Sequence, residues 1–142
     1  MTGQPRAIPA LTVRQPWAWA IAHAGKDVEN RTWRTGYRGP VAIHAGRARP
    51  DEQTVALVEL LTGRISLPPL AYGAVIAVAT LADITRNSGS QWAEPGAWHW
   101  HLTNVRPLAE PLPATGRHRL WPTPAALSDR LAPPSDPDQE GR

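Results

Sequence analysis

Apolar residues recur along this chain in two rhythms, and the switches between them divide it into elements. Residues 8–13 read as a short strand. Trp17, Ala20, Ile21 and Ala24 then fall at helical spacing, which predicts a helix over residues 17–24 with Pro16 at its first turn and Gly25 as its stop. This phase turns those four residues to the core and leaves Trp19, His23 and Lys26 along the other side. Residues 28–33 favour a strand, on which Glu29, Arg31 and Trp33 share one face by two-residue alternation. Lys26 precedes that strand in a turn and can converge on the same face.

Tyr37 to Pro40 reads as a turn and residues 41–45 as a short buried strand. A second helix is predicted over 51–61, started at Pro50, Asp51 and Glu52 and ended by Gly63, with Val55, Leu57, Val58, Leu60 and Leu61 on its apolar side. Residues 73–83 are apolar throughout their centre, as in a strand covered on both faces. After a polar loop over 85–96, residues 98–105 alternate, with Trp98, Trp100 and Leu102 opposed to His99, His101 and Thr103. Five prolines and Gly116 break up residues 107–124, which suits bent edge strands and loops. Residues 125–131 suit a terminal turn of helix.

Five or six short strands with two helices inserted early predict an α+β fold, a small and partly open β-barrel decorated by helices. There is no internal repeat and no parallel-sheet crossover rhythm. With 142 residues, one domain over 8–132 has enough chain to bury its own core. The tail 133–142 places Asp136, Asp138 and Glu140 among prolines and is expected to be disordered.

Composition narrows the chemistry. Cysteine is absent, which excludes disulfides, thiolate metal sites and cysteine nucleophiles and fits the cytoplasm. The most apolar run, residues 73–82, is too short for a membrane span or a signal-peptide core. The net charge of +3 hides an uneven distribution, because without the acidic tail the body carries 14 cations against 9 anions. Arginine with seven tryptophans suits nucleic acid, since guanidinium pairs with phosphate and large rings stack on bases. A GC-rich genome that raises arginine and proline everywhere produces the same composition.

Fourteen of the fifteen cations are arginine, so the one lysine, Lys26, stands out beside Glu29, Arg31, Trp33 and Arg34. Where a compact charge or a tunable amine is needed, arginine does not replace lysine. On the residues alone, Glu29 and Arg31 read first as a surface ion pair bracing a strand, worth at most about 1 kcal/mol. Burial near Arg31 lowers the pKa of Lys26 and Glu29 raises it, and the sequence leaves that contest open.

The blocks LTVRQPWAWAI, GKDVENRTWRTGYRGPVAIHA, YGAVIAVATL and WHWHLTNVRPLAEPLPATGRHRLW, in this order, resemble an ASCH domain of the PUA-like superfamily over residues 10–122. The family's hallmark is glycine, any residue, lysine, two residues, glutamate, one residue, arginine. Lys26, Glu29 and Arg31 hold its last three fixed positions, while the leading glycine falls on Ala24, one residue before Gly25. The resemblance implies a cleft between barrel and helix, lined by these three residues, that receives nucleic acid, mostly RNA. Some members resemble small hydrolases that deacetylate acetylcytidine, pairing the motif lysine with a threonine where this chain has Glu29.

Within that frame Lys26 and Arg31 are expected to hold phosphate or a base carbonyl, with Glu29 accepting from a base amino group. Trp33 is the expected stacking ring, with Arg34 nearby and Arg14 and Gln15 on the opposite wall. Catalysis, by an amidohydrolase or a ribonuclease, would fall to Lys26 and Glu29. RNA is the expected partner, with DNA or a modified nucleoside as alternatives, and a protein-interaction module is a third class. No cofactor or metal is expected. His99 and His101, with His44, lack a spaced third ligand, and Arg117, His118 and Arg119 read as solvated loop charges.

Overall fold

The alternating segments of the sequence become six strands: β1 (Pro9–Val13), β2 (Val28–Arg31), β3 (Gly39–Ala45), β4 (Ala74–Thr85), β5 (Trp98–Pro113) and β6 (Leu120–Pro122). Three helices join them: α1 (Trp17–His23) after β1, α2 (Glu52–Thr62) after β3, and α3 (Ala125–Leu131) after β6. The computed structural model describes residues 7–133, so the expected disordered tail lies, apart from Pro133, outside the described residues.

The strands form one mixed sheet in the order β2-β5-β4-β3-β1-β6, in which only β1 and β3 run parallel. The sheet curls on itself. A guanidinium nitrogen of Arg31 in β2 donates to the carbonyl of Thr12 in β1 at 2.6 Å, although three strands separate β2 from β1 in the sheet. The result is the α+β half-barrel expected of a PUA-like fold.

Alternation assigns the two faces of this sheet. Leu11, Val13, Val41, Ile43, Leu81 and Trp100 pack against Ala18, Ile21 and Ala22 of α1. Their neighbours Ala10, Ala42, Val75, Val78 and Trp121 pack against Leu131 of α3. Burial of Leu, Ile and Val side chains at these positions contributes about 1.5–3 kcal/mol each before the entropy cost of ordering them.

Three expectations need correction. Trp19 was assigned to the outer side of α1 but is buried with Ala20, Val28, Val58 and Trp92. A second layer, α2, covers that side of α1, and only His23 is left to solvent. In α2 itself Val58 alone is fully buried, and Leu60 is 79% exposed, because the helix meets its neighbours along one narrow line. Its ends follow the prediction: Asp51 accepts from the Thr54 amide at 2.7 Å, and Gly63 closes the helix at φ +70°. Lastly, the prolines from Pro107 on do not break the chain into separate pieces but continue β5 as far as Pro113. β2 pairs only with residues 98–101 of β5, so beyond His101 one edge of β5 carries no strand, where a proline's missing N–H costs little.

Candidate functional site

The α1–β2 corner is where the chain buries its lysine. Gly25 takes the left-handed turn at φ +74°, while Ala24 sits at φ −126°, a conformation any residue adopts. The turn therefore needs glycine at residue 25 and tolerates alanine at the motif's leading position. Lys26 N–H bonds back to the Ala20 carbonyl at 3.1 Å, which sends the side chain inward. Only 2% of Lys26 is exposed.

Its ammonium donates to the Val28 carbonyl, lies 3.6 Å from Glu29 Oε1, and sits 5.3 Å and 5.8 Å from the ring centres of Trp17 and Trp92. Those two rings meet edge to face at 6.4 Å. Loss of water pushes the Lys26 pKa below its ordinary value, and the adjacent Glu29 only partly opposes this. Burial therefore wins the contest that the sequence left open. An ammonium has three N–H donors, and with the carbonyl and the carboxylate served, one remains for the cavity.

Glu29 is the hinge of the group. Its Oε1 faces Lys26, and its Oε2 accepts from Arg31 Nε at 3.0 Å. Arg31 is in turn fixed to Thr12, so the pair spans the open side of the half-barrel. This is not the solvent-facing strand brace that the residues alone allowed, because both members line a cavity of about 530 Å³. Trp17 and Trp92 form its aromatic walls, Leu57 and Leu61 of α2 an apolar one, and Arg14, Trp33, Asn30 and Glu94 also line it.

The wall carrying Trp92 and Glu94 is held by Asn30 of β2. Its Nδ2 donates to the Trp92 carbonyl at 2.8 Å, and its Oδ1 accepts from the Glu94 amide at 2.9 Å. Ser90 adds a bond from its hydroxyl to Asp27 Oδ1 at 2.6 Å. A loop that carries no regular structure is thus registered against the edge strand by side chains.

Lys26, Glu29, Arg31, Trp33 and Arg14 of the expected residues meet at this cavity. Trp33 stands just past the end of β2, its ring edge-on to Trp100 at 4.7 Å and covered by the Arg119 guanidinium at 4.3 Å. Gln15 and Arg34 do not line it. The buried Gln15 amide is used on both sides: Oε1 accepts from the Trp19 amide at 2.9 Å, and Nε2 donates to the Ala71 carbonyl at 2.8 Å. Arg34 points to a neighbouring hollow, over Trp98 at 4.8 Å.

The sequence reading missed Trp92, Glu94 and Asn30, and it left Trp17 to the core. A lone tryptophan with a glutamate two residues on, in a loop otherwise polar, was the available signal. The three histidines are held internally: His99 by Ser88 and Glu94 backbone, His101 by Thr85, and His44 by Thr12 and the Ala114 carbonyl. Among the described residues no group of three or more metal-ligating side chains occurs.

A mixed half-barrel with a charged and aromatic cavity between its edge and two helices defines a PUA-like domain. The ASCH domain family model matches residues 11–112, from β1 to the far part of β5, and the chain belongs to that family. All five residues gathered at the cavity fall within the match. No curated protein matches the chain. Among the described residues no helix is long and apolar enough to cross a membrane.

Proposed function

We propose that this protein binds single-stranded nucleic acid, RNA in preference, by taking one base into the cavity. The observation that carries the reading is a 530 Å³ cavity with a Lys26–Glu29–Arg31 floor set between the rings of Trp17 and Trp92. Because the two rings stand at a right angle, one offers its face to a base and the other its edge, and stacking on an aromatic face contributes about 1–3 kcal/mol per base. The free N–H of Lys26 donates to a base carbonyl, and Glu29 accepts from a base amino group. Arg14, exposed on the rim, meets phosphate, while Trp33 borders the entrance. Gln15 takes no part, since its amide is already committed. Such a role suits the cytoplasm.

The test is binding of labelled single-stranded RNA over a range of salt. Affinity is expected to fall as salt rises, and Lys26→Met and Trp92→Leu are each expected to weaken binding by about tenfold or more. Affinity unchanged by both substitutions removes the assignment.

One observation favours a second reading, hydrolysis of an acetylated cytidine or of RNA. Lys26, its pKa lowered by burial, faces a cavity that also holds the carboxylates of Glu29 and Glu94. Binding stands first because Lys26 is already tied to Val28 and Glu29, and Glu29 to Arg31, bonds that position groups more than they free them to move protons. Glu29 also replaces the threonine of the hydrolase pattern. Acetate release from acetylcytidine, or RNA cleavage, that stops in Lys26→Met would reverse this order.

A further inference from the structure

We propose that the ligand is a strand rather than a free nucleoside, because the site continues out of the cavity onto a second hollow lined by Arg34 and Arg38, where these two, with Arg86 on the same Trp98 ring as Arg34, take the adjoining phosphodiester. The inference rests on the cavity being a base site and adds a contact surface to it.

The two hollows are lined by consecutive residues of the chain. Trp33 lines the cavity, and the next residue, Arg34, lines the second hollow, of about 380 Å³, with Thr35, Gly36, Arg38 and Ile84. One backbone step thus separates the place for a base from the place for a phosphate. Arg31, on the cavity floor, is also the register partner of Trp98, on which the outer arginines stack.

Guanidinium groups of Arg34 and Arg86 lie 4.8 Å and 4.6 Å from the centre of the Trp98 ring. Both side chains are exposed. Stacking holds a guanidinium by its face and leaves its N–H edge for phosphate oxygens; in Arg86 one terminal nitrogen also donates to the Gly96 carbonyl at 3.2 Å, which fixes the group and leaves its other N–H groups for a ligand. Two like charges gathered at one ring repel each other, and a nearby anion relieves that repulsion. Arg38 is prepared in the same way. One of its terminal nitrogens donates to the carbonyls of Thr35 and Tyr37, both at 2.8 Å, leaving the other toward the rim. That second nitrogen has one carboxylate near it, Asp83 Oδ1 at 3.8 Å, while among the described residues neither Arg34 nor Arg86 is paired with a carboxylate.

The floor leaves room for a ligand. Gly36 is exposed, and apart from its own chain neighbours no atom lies within 4 Å of where a Cβ on it would stand. A free nucleoside has nothing to place in this hollow, whereas a strand whose base enters the cavity must lead its backbone across the rim.

The experiment uses a mixed-sequence single-stranded RNA octamer, with affinity measured against salt for the native chain, Arg34→Gln/Arg86→Gln, Arg34→Lys/Arg86→Lys and Trp92→Leu. Circular dichroism first confirms that each variant is folded. Each phosphate contact on a single strand adds about 0.7 to the slope of log affinity against log salt, so the glutamine pair is expected to lose about 1.4 in slope and about tenfold in affinity. The lysine pair keeps the charge and is expected to keep the slope, and Trp92→Leu weakens binding with its slope intact. An unchanged slope in the glutamine pair, with Trp92→Leu still weakened, overturns the outer site and leaves the cavity reading standing. A full effect of the glutamine pair with none from Trp92→Leu overturns the cavity reading and this proposal with it, as does a native chain that binds no octamer.

Discussion

The Lys26–Glu29–Arg31 group and the Arg38–Asp83 pair are both salt bridges, the first at 3.6 and 3.0 Å and the second at 3.8 Å. Their surroundings differ. Lys26 and Glu29 side chains are 2% and 10% exposed, whereas Arg38 and Asp83 are 39% and 65% exposed. Water screens the outer pair and already solvates each partner, so their contact adds little. In the inner group each ion replaces the solvent the others have lost, and removing one strands its neighbours. The chain's lysine is spent where a compact ammonium fits between two rings, and its stacked arginines stand where a flat group keeps an edge free.

The largest effect that can break this comparison comes from Glu29→Gln. It leaves the Lys26 ammonium and the Arg31 guanidinium without their shared carboxylate, and a loss of about 3–5 kcal/mol is expected. The matching outer change, Asp83→Asn, is expected to cost at most about 1 kcal/mol. Urea unfolding of the two variants beside the native chain measures both. Equal losses would mean that the inner group is solvated after all.

A middle-sized effect sharpens the contrast between the two sides of the cavity. Asn30→Ala removes both bonds that hold the Trp92–Glu94 wall, at an expected cost of about 1–3 kcal/mol. The site consequence is larger than the stability consequence, because Trp92 loses its register over Lys26. Hydrogen exchange at the Glu94 amide, which Asn30 Oδ1 now protects, is expected to quicken. An amide that exchanges at the native rate would show that the loop holds itself.

These contrasts also explain which parts of the site could be read from sequence. Lys26, Glu29 and Arg31 lie within six residues, so a turn and strand alternation suffice to bring them together. Trp33 follows from the same alternation, whereas Arg14, ahead of α1, was placed on the opposite wall only within the frame of the family resemblance. Trp92 and Glu94 are held at the cavity by bonds to Asn30, 62 and 64 residues away in the chain, with Ser90–Asp27 and His99–Glu94 beside them, and no periodicity in the sequence encodes that closure. Gln15 was misplaced for a related reason: its amide serves Ala71, a partner 56 residues on. The six strands and early helices were readable from their rhythms, but Trp19 was not, because its cover is supplied by another helix. Periodicity reports how many sides of an element are apolar only when the neighbours are known.

The smallest expected effect is a pH dependence that separates the buried amine from the rest. Burial lowers the Lys26 pKa below its ordinary 10.5, so between the lowered value and 10.5 the unfolded chain holds a proton that the folded chain lacks. Stability from this residue therefore rises with pH across that window, is fully present above 10.5, and is lost as pH falls through the folded value. Tyr37 works in the opposite sense, since burial raises its pKa above the ordinary 10.0 and its contribution fades as pH climbs. The difference between the native chain and Lys26→Met cancels Tyr37 and leaves the lysine alone. Urea unfolding of both, from neutral pH up to 10.5, is expected to show the native chain gaining on the variant as pH rises. Parallel curves would place the ammonium in water, and the contrast between an inner and an outer salt bridge would then collapse.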